Sequence, residues 1–396
     1  MRALLPAVLL LATAARADDW PQWRGPARTG ISAETAWDDA FASPKIAWKA
    51  EVGIGFSSFS VAGGRVYSIG WADDQEHVVA LDLESGKVLW KHSYASEIGD
   101  KYFEGGPCST PTVDGDRVYV MGRWGELFAL EAATGKVIWS KDLRKETKVR
   151  TPDWGFAGSP LVLGNLIVLN MGEAGLAVEK TAGRIAWRSG DQEAGYSTPL
   201  PFSRGGVDYL LVSSGKHWIA VEPRNGKEAW RIPWVTMYGV NAADPIVIGD
   251  LLFVTSAYGK GCGAFKMGAG APVEVWTSKV LSIQMSPPVL IHGHLYGVDG
   301  MGGKPSALKC VEPTTGEEKW SVSGLGCGTL SAAGGKLIVL SEKGELVVAP
   351  ASPAGFKPTA RARILDGRCW TPPVLSNGRL LCRTAAGDVV CLDLRK

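Results

Sequence analysis

Eight short segments carry the side chains best suited to recognising a ligand. They read Gly55-Phe56-Ser57, Glu104-Gly105-Gly106-Pro107-Cys108, Trp154-Gly155-Phe156-Ala157, Glu193-Ala194-Gly195-Tyr196, Tyr238-Gly239-Val240-Asn241, Ser282-Ile283-Gln284-Met285, Gly326-Cys327-Gly328 and Arg368-Cys369-Trp370. Phe56, Trp154, Tyr196, Tyr238 and Trp370 offer aromatic faces. Glu104, Glu193 and Arg368 offer charge, Asn241 and Gln284 offer amides, and Cys108 offers a thiol. Brought together, such a set forms a mostly apolar pocket with a few convergent polar groups, the common make-up of a binding site. The alternative is that the same residues only fill and cap a channel. Other chemistry has less support. His292 and His294 share a turn with no carboxylate or thiol at metal-ligand spacing. Asp73-Asp74 and Glu317-Glu318 sit in turns and read as solvated charge. A nucleophile elbow and a phosphate-binding loop are absent from the sequence.

What must position these segments is a repeat. Trp90, Trp139, Trp187, Trp230, Trp276 and Trp320 follow one another at intervals of 43 to 49 residues. Before most of them runs one phrase, cleanest in Ala80-Leu81-Asp82-Leu83-Glu84-Ser85-Gly86-Lys87-Val88-Leu89-Trp90. A period in this range marks a repeat architecture. Each unit opens on a Ser/Thr-Pro signal such as Ser109-Thr110-Pro111 or Gly158-Ser159-Pro160, where proline starts a strand. A β-branched second strand follows, as in Arg117-Val118-Tyr119-Val120. The Ala-Leu-Asp phrase supplies a third strand and the run into Trp a fourth. Four short antiparallel strands per unit are the pattern of a propeller blade.

The sequence holds eight such units, so the expected fold class is all-β, an eight-bladed propeller of four-stranded antiparallel blades. Unit five is irregular around 267–272. Unit seven has Pro350–Pro358 in place of the turn and no Trp after it. Unit eight stops before its own fourth strand, and Lys45-Ile46-Ala47-Trp48-Lys49 has no third strand in front of it. That N-terminal strand is expected to complete the last blade and close the ring, which removes exposed sheet edges. The innermost strands would then ring the axis, and the eight segments would meet at one mouth of the channel. The recurrent Trp is expected between blades with its N–H on a backbone acceptor, and the Gly at the positive φ of the hairpin. No helix of useful length is expected.

The phrase Ala-Leu-Asp-x-x-Ser/Thr-Gly-Lys-x-x-Trp resembles the repeat of the PQQ-like (quinoprotein-type) eight-bladed propellers, over about Pro44 to the C-terminus. The leader Asp19-Trp20-Pro21-Gln22-Trp23-Arg24-Gly25-Pro26 is similar to that of a secreted branch of this superfamily. The resemblance implies either a quinone-dependent alcohol or sugar dehydrogenase, or a non-enzymatic propeller such as the BamB-like component of outer-membrane protein assembly. The dehydrogenases hold PQQ and Ca²⁺ on the axis, and many place an adjacent Cys–Cys disulfide over the cofactor. This chain has no Cys-Cys dipeptide and no haem-attachment motif. A hard cation needs six or more oxygens, and the sequence shows no convincing set, so neither cofactor nor metal is assigned. The expectation is a binding or scaffold module for a protein or cell-envelope ligand.

Composition supports a large folded domain, with 45% hydrophobic and 21% charged residues over 396 positions. A net charge of +2 and no basic stripe argue against nucleic acid. Arg2, the apolar run Leu4–Ala12 and Ala15-Arg16-Ala17 read as a signal peptide spanning 1–17, hence export to the periplasm or beyond. Residues 18–43 are expected to pack as a leader on the ring exterior or an end face, and 44–396 to form the propeller, as a monomer without a transmembrane segment. Cys310 and Cys391 occupy the small-residue slot of the repeat and are expected as core thiols. Cys327 and Cys369 fall in neighbouring units and are either a disulfide or unpaired.

Overall fold

A computed structural model describes residues 19–396, so the expected signal peptide lies outside the described residues. The strands form eight sheets, seven of four strands and one of five. Blade one shows the grammar: Ser60–Ala62, Arg65–Ala72, Gln75–Asp82 and Val88–Ala95 pair in sequence order, antiparallel. Blades two to six repeat it. Blade eight joins Val374–Ser376, Arg379–Arg383 and Asp388–Asp393 to the N-terminal strand Lys45–Glu51, which closes the ring as expected.

The repeated phrase has a mechanical meaning. In seven blades the small residue of the third strand lies opposite the Trp of the fourth. The pairs are Ala80–Trp90, Ala129–Trp139, Ala177–Trp187, Ala220–Trp230, Ala264–Trp276, Cys310–Trp320 and Cys391–Trp48. The register shifts at this point in each of the seven. Such a bulge sharpens the local twist and re-aims a side chain. It swings the indole towards the next blade. There Nε1 donates to a carbonyl: Trp48 to Leu83, Trp90 to Ala132, Trp139 to Lys180, Trp187 to Pro223, Trp276 to Pro313 and Trp320 to Ser352.

The turn glycine serves the same joint. Gly135 has φ +73°, and a Cβ there would stand 2.5 Å from the ring of Trp90. Gly86 under Trp48, Gly183 under Trp139, Gly226 under Trp187 and Gly316 under Trp276 repeat the arrangement. Glycine is thus required twice over, for the left-handed backbone and for the close approach of the preceding blade's indole.

Blade seven keeps its fourth strand although the glycine turn and the Trp are missing, as expected. Ala360–Arg363 supplies that strand, and it pairs with Glu345–Pro350 without bulge or Trp. The proline-rich connection replaces the glycine turn: Ser352 offers the carbonyl for Trp320, and Phe356 packs on that ring at 5.7 Å. The fifth strand of this sheet is Ile31–Ser32, parallel to the innermost strand Thr329–Ala333. A short helix, Leu143–Thr147, follows blade two and is capped by Asp142, whose side chain accepts from the Lys145 amide. The sequence carries no periodic signal for it. Seven cysteines are all unpaired, so Cys327 and Cys369 form no disulfide, and Cys310 and Cys391 are buried as expected of core thiols.

Candidate functional site

The leader crosses one end of the ring. Trp20 pairs with Val61 in blade one, the Pro21 carbonyl accepts from Val113 in blade two, and the Gly30 carbonyl accepts from Ala332 in blade seven. The Asp38 amide donates to Leu394 in blade eight. Between these anchors the chain passes the axis. There Trp23 Nε1 donates to Asp244 Oδ2 at 2.6 Å, and Arg24 donates to the carbonyls of Arg28, Thr29 and Pro288. Burial holds the Asp244 carboxyl above its ordinary range, opposed by the nearby Arg24 charge; burial likewise lowers Arg24 to about 10. These contacts lay the leader across an end face and send Trp23 into the channel.

Beyond Trp23 the channel widens into a cavity of about 160 Å³. Phe56, Cys108, Trp154, Tyr196, Gln284 and Trp370 line it, which brings together six of the eleven residues expected at the mouth. Phe56 stacks on Trp370 at 5.6 Å, Phe103 meets the edge of Trp370 at 5.0 Å, and Trp154 meets Tyr196 edge-on at 6.0 Å. Gln284 is fixed between two partners, donating to Tyr258 Oη and accepting from the Gly302 amide. Burial raises the Cys108 thiol above its ordinary range, which keeps it protonated at neutral pH.

The other five residues do not line the cavity. Glu104 and Arg368 form an ion pair at 2.7 Å, with the Arg368 guanidinium 4.5 Å over the Trp370 ring. Glu193 is held by Arg150 at 3.3 Å. Asn241 is wholly buried; its amide donates to the carbonyls of Ser214 and Trp234 and accepts from Ser256 Oγ. It ties loops together instead of facing the axis, because three backbone and hydroxyl partners outbid an apolar cavity for a buried amide. Tyr238 stands on the rim, 62% exposed, edge-on to Trp154 and Tyr258.

Several lining residues were not among the sequence candidates. Arg123 and Tyr258 come from the turns between second and third strands, and Lys101 and Phe103 from the connection after blade one. In an antiparallel blade these turns reach the same mouth as the start of the first strand. The long Gly-Asp-Lys-Tyr-Phe insertion and the off-pattern Gly122-Arg123-Trp124 are the signals that mark them. Tyr102, Tyr238 and Tyr258 hold φ of +73°, +66° and +58°. A left-handed backbone is uncommon for bulky residues and costs about 1 kcal/mol or more at each. Such strain clusters at functional sites, and here it falls on three aromatic residues of one mouth.

The donor set does not fit a calcium-bound quinone. Among the described residues the only carboxylate lining the cavity is Asp244, already engaged by Trp23, by the Thr198 amide at 2.8 Å and by the Arg24 charge. Ca²⁺ takes six to eight oxygens. Among the described residues no cluster of three His, Cys, Asp or Glu is placed to hold a metal.

The model of the family described as outer membrane protein assembly factor BamB matches residues 74–322. The chain is 27% identical over 238 residues to quinohemoprotein alcohol dehydrogenase ADH IIB of Pseudomonas putida, covering 56% of this chain and 30% of that one. It is 23% identical over 317 residues to the outer membrane protein assembly factor BamB of Yersinia pestis, covering 76% of each. The chain spans less than half the length of the curated dehydrogenases it matches. Among solved structures, BamB from Moraxella catarrhalis superposes with a TM-score of 0.65 at 16% identity, over 89% of this chain and 100% of that one. A europium-containing methanol dehydrogenase superposes at 0.70 with 12% identity, over 95% of this chain and 98% of that one. At these identities the structural likeness establishes the propeller fold.

Proposed function

The chain belongs to the PQQ-like repeat family whose model is described as outer membrane protein assembly factor BamB, and from that premise we propose that it is an exported binding or scaffold module of the periplasm or cell envelope. Its site is the axial mouth. One observation carries this. An aromatic cup opens between two loops that hold large apolar side chains in solvent: Tyr102 at 78% exposure, and Val235, Met237 and Tyr238 at about 60%. A patch of this kind beside a concave site favours a partner over water. The donor chemistry points the same way. General acid–base work needs a titratable group placed to move a proton. Here Asp244 is locked by Trp23, and the Cys108 thiol is held protonated.

Export is supported by the sequence pattern of residues 1–17 and by the printed names of the assembly-factor relatives. Among the described residues no helix is long and apolar enough to cross a membrane. Site-specific photocrosslinking in cell envelopes tests the placement. A probe at Tyr238 should yield partner adducts, while a probe at Val207, exposed on the second strand of blade four, should not. Equal yields from both would remove the mouth from the account. Titration with PQQ and Ca²⁺ tests the enzyme alternative: tight binding with dye reduction by alcohols or sugars would replace this function with a dehydrogenase.

A further inference from the structure

The lining of the cup holds a buried cation that no carboxylate among the described residues pairs. Arg123 is 4% exposed and lines the cavity. Its terminal nitrogens donate to the carbonyls of Gly99 and Gly106, with Cys108 Sγ 3.8 Å away, while its Nε–H is buried and has no partner. Behind it Arg383 is fully buried and donates to Ser57, Ser68, Ile69 and Gly53. Among the described residues neither guanidinium forms an ion pair. The charge of Asp244, the one carboxylate of the lining among the described residues, is already offset by Arg24. Lys101 adds a second cation at the entrance, 5.7 Å over the Trp154 ring, and its surface partner Asp153 is 3.7 Å away and half exposed. Across the cavity Ser286 Oγ is buried and without a partner.

A buried guanidinium without a carboxylate is costly unless an anion nearby compensates its charge. An apolar cavity of about 150 Å³ takes one benzene ring, and this one measures about 160 Å³. We propose that the axial cup binds a small aromatic carboxylate, its ring among Phe56, Trp154 and Trp370 and its carboxylate accepting from Lys101 Nζ in the field of the unpaired Arg123 guanidinium. Charge-assisted bonds of this kind are the strong ones, and the ring replaces water on surfaces that bind it poorly. This inference rests on the mouth being the binding site and names the chemistry that it takes.

Calorimetric titration of the full chain with sodium benzoate, cyclohexanecarboxylate and benzyl alcohol tests it. Benzoate should bind saturably, with the aliphatic acid and the neutral alcohol each weaker by about tenfold or more. Lys101→Met should weaken benzoate several-fold and leave benzyl alcohol unchanged. Arg123→Gln should weaken benzoate further. Because Arg123 also ties two loops, the Lys101 variant and the ligand series stand without it. Benzyl alcohol binding as tightly as benzoate, or no saturable heat from benzoate, overturns the proposal. If photocrosslinks at Tyr238 persist in that case, the mouth remains the partner site and only the ligand chemistry falls; loss of both removes the mouth altogether.

Discussion

The two ends of the ring are built differently. At the leader end, the Gly-Lys turns, the indoles of the preceding blades and the crossing chain satisfy one another. Trp90 Nε1 meets the Ala132 carbonyl, Gly135 lies flat under the Trp90 ring, and Asp244 is capped by Trp23. At the mouth, tyrosines 102, 238 and 258 hold left-handed backbone, apolar side chains stand in water, and Arg123 Nε and Ser286 Oγ are buried without partners. Left-handed backbone outside glycine occurs at both ends, at Arg24, Arg28, His292 and Asn377 on the leader side, but at the mouth it falls on tyrosines beside a cavity.

The largest expected effect breaks the stable end. Trp90→Ala removes an indole that is 8% exposed, together with its bond to blade two, and should cost about 3–5 kcal/mol by urea denaturation. Its effect on ligand binding at the mouth should be small beside that loss.

A pH dependence comes from the wall behind the mouth. Burial pushes the Glu76 carboxyl up to about 7, with Tyr94, Ser96 and the Arg123 amide bonded to it. A carboxyl whose pKa is raised on folding stabilises the native state below its unfolded value and loses that contribution as pH rises. Stability should therefore fall between pH 4.5 and 8, by about 3 kcal/mol in all, and Glu76→Gln should flatten this part of the curve. Denaturation midpoints at pH 5 and pH 8 check it; a curve unchanged by Glu76→Gln would mean that the wall stores no such penalty.

Next in size, Trp23→Ala removes the Asp244 donor and opens the cavity towards the leader. It should cost about 1.5–3 kcal/mol and weaken benzoate, the one place where damage at the leader end reaches the mouth. The smallest effect has the opposite sign. Tyr102→Gly relieves a left-handed backbone at a side chain that is 78% exposed, so stability should hold or rise by up to about 1 kcal/mol, while crosslinking at the rim falls. A clear loss of stability in this variant would show that the rim tyrosine is structural.

The ring was legible in the sequence because its joints repeat. The Trp period, the small residue opposite it and the glycine turn each recur, and even the closing strand betrayed itself by the missing partner of Trp48. Blade seven was legible only in part, since Ser352 and Phe356 do the work of the glycine turn without its residues. The mouth was half legible. Phe56, Trp154 and Trp370 stand at repeat-equivalent positions and could be found there. Arg123 and Tyr258 sit in second-to-third-strand turns, which reach the same mouth as the first-strand starts but lie outside the segments just before them. Asn241 misled because a buried amide goes where its hydrogen bonds are, and those lie in the loops.

Hydrogen exchange with and without saturating benzoate tests the contrast between the two ends most directly. The account predicts added protection in residues 98–108, 123–125 and 154–157, and none in the Gly-Lys turns at Gly86 and Gly135. Protection spread evenly around the ring, or confined to the leader end, would contradict it.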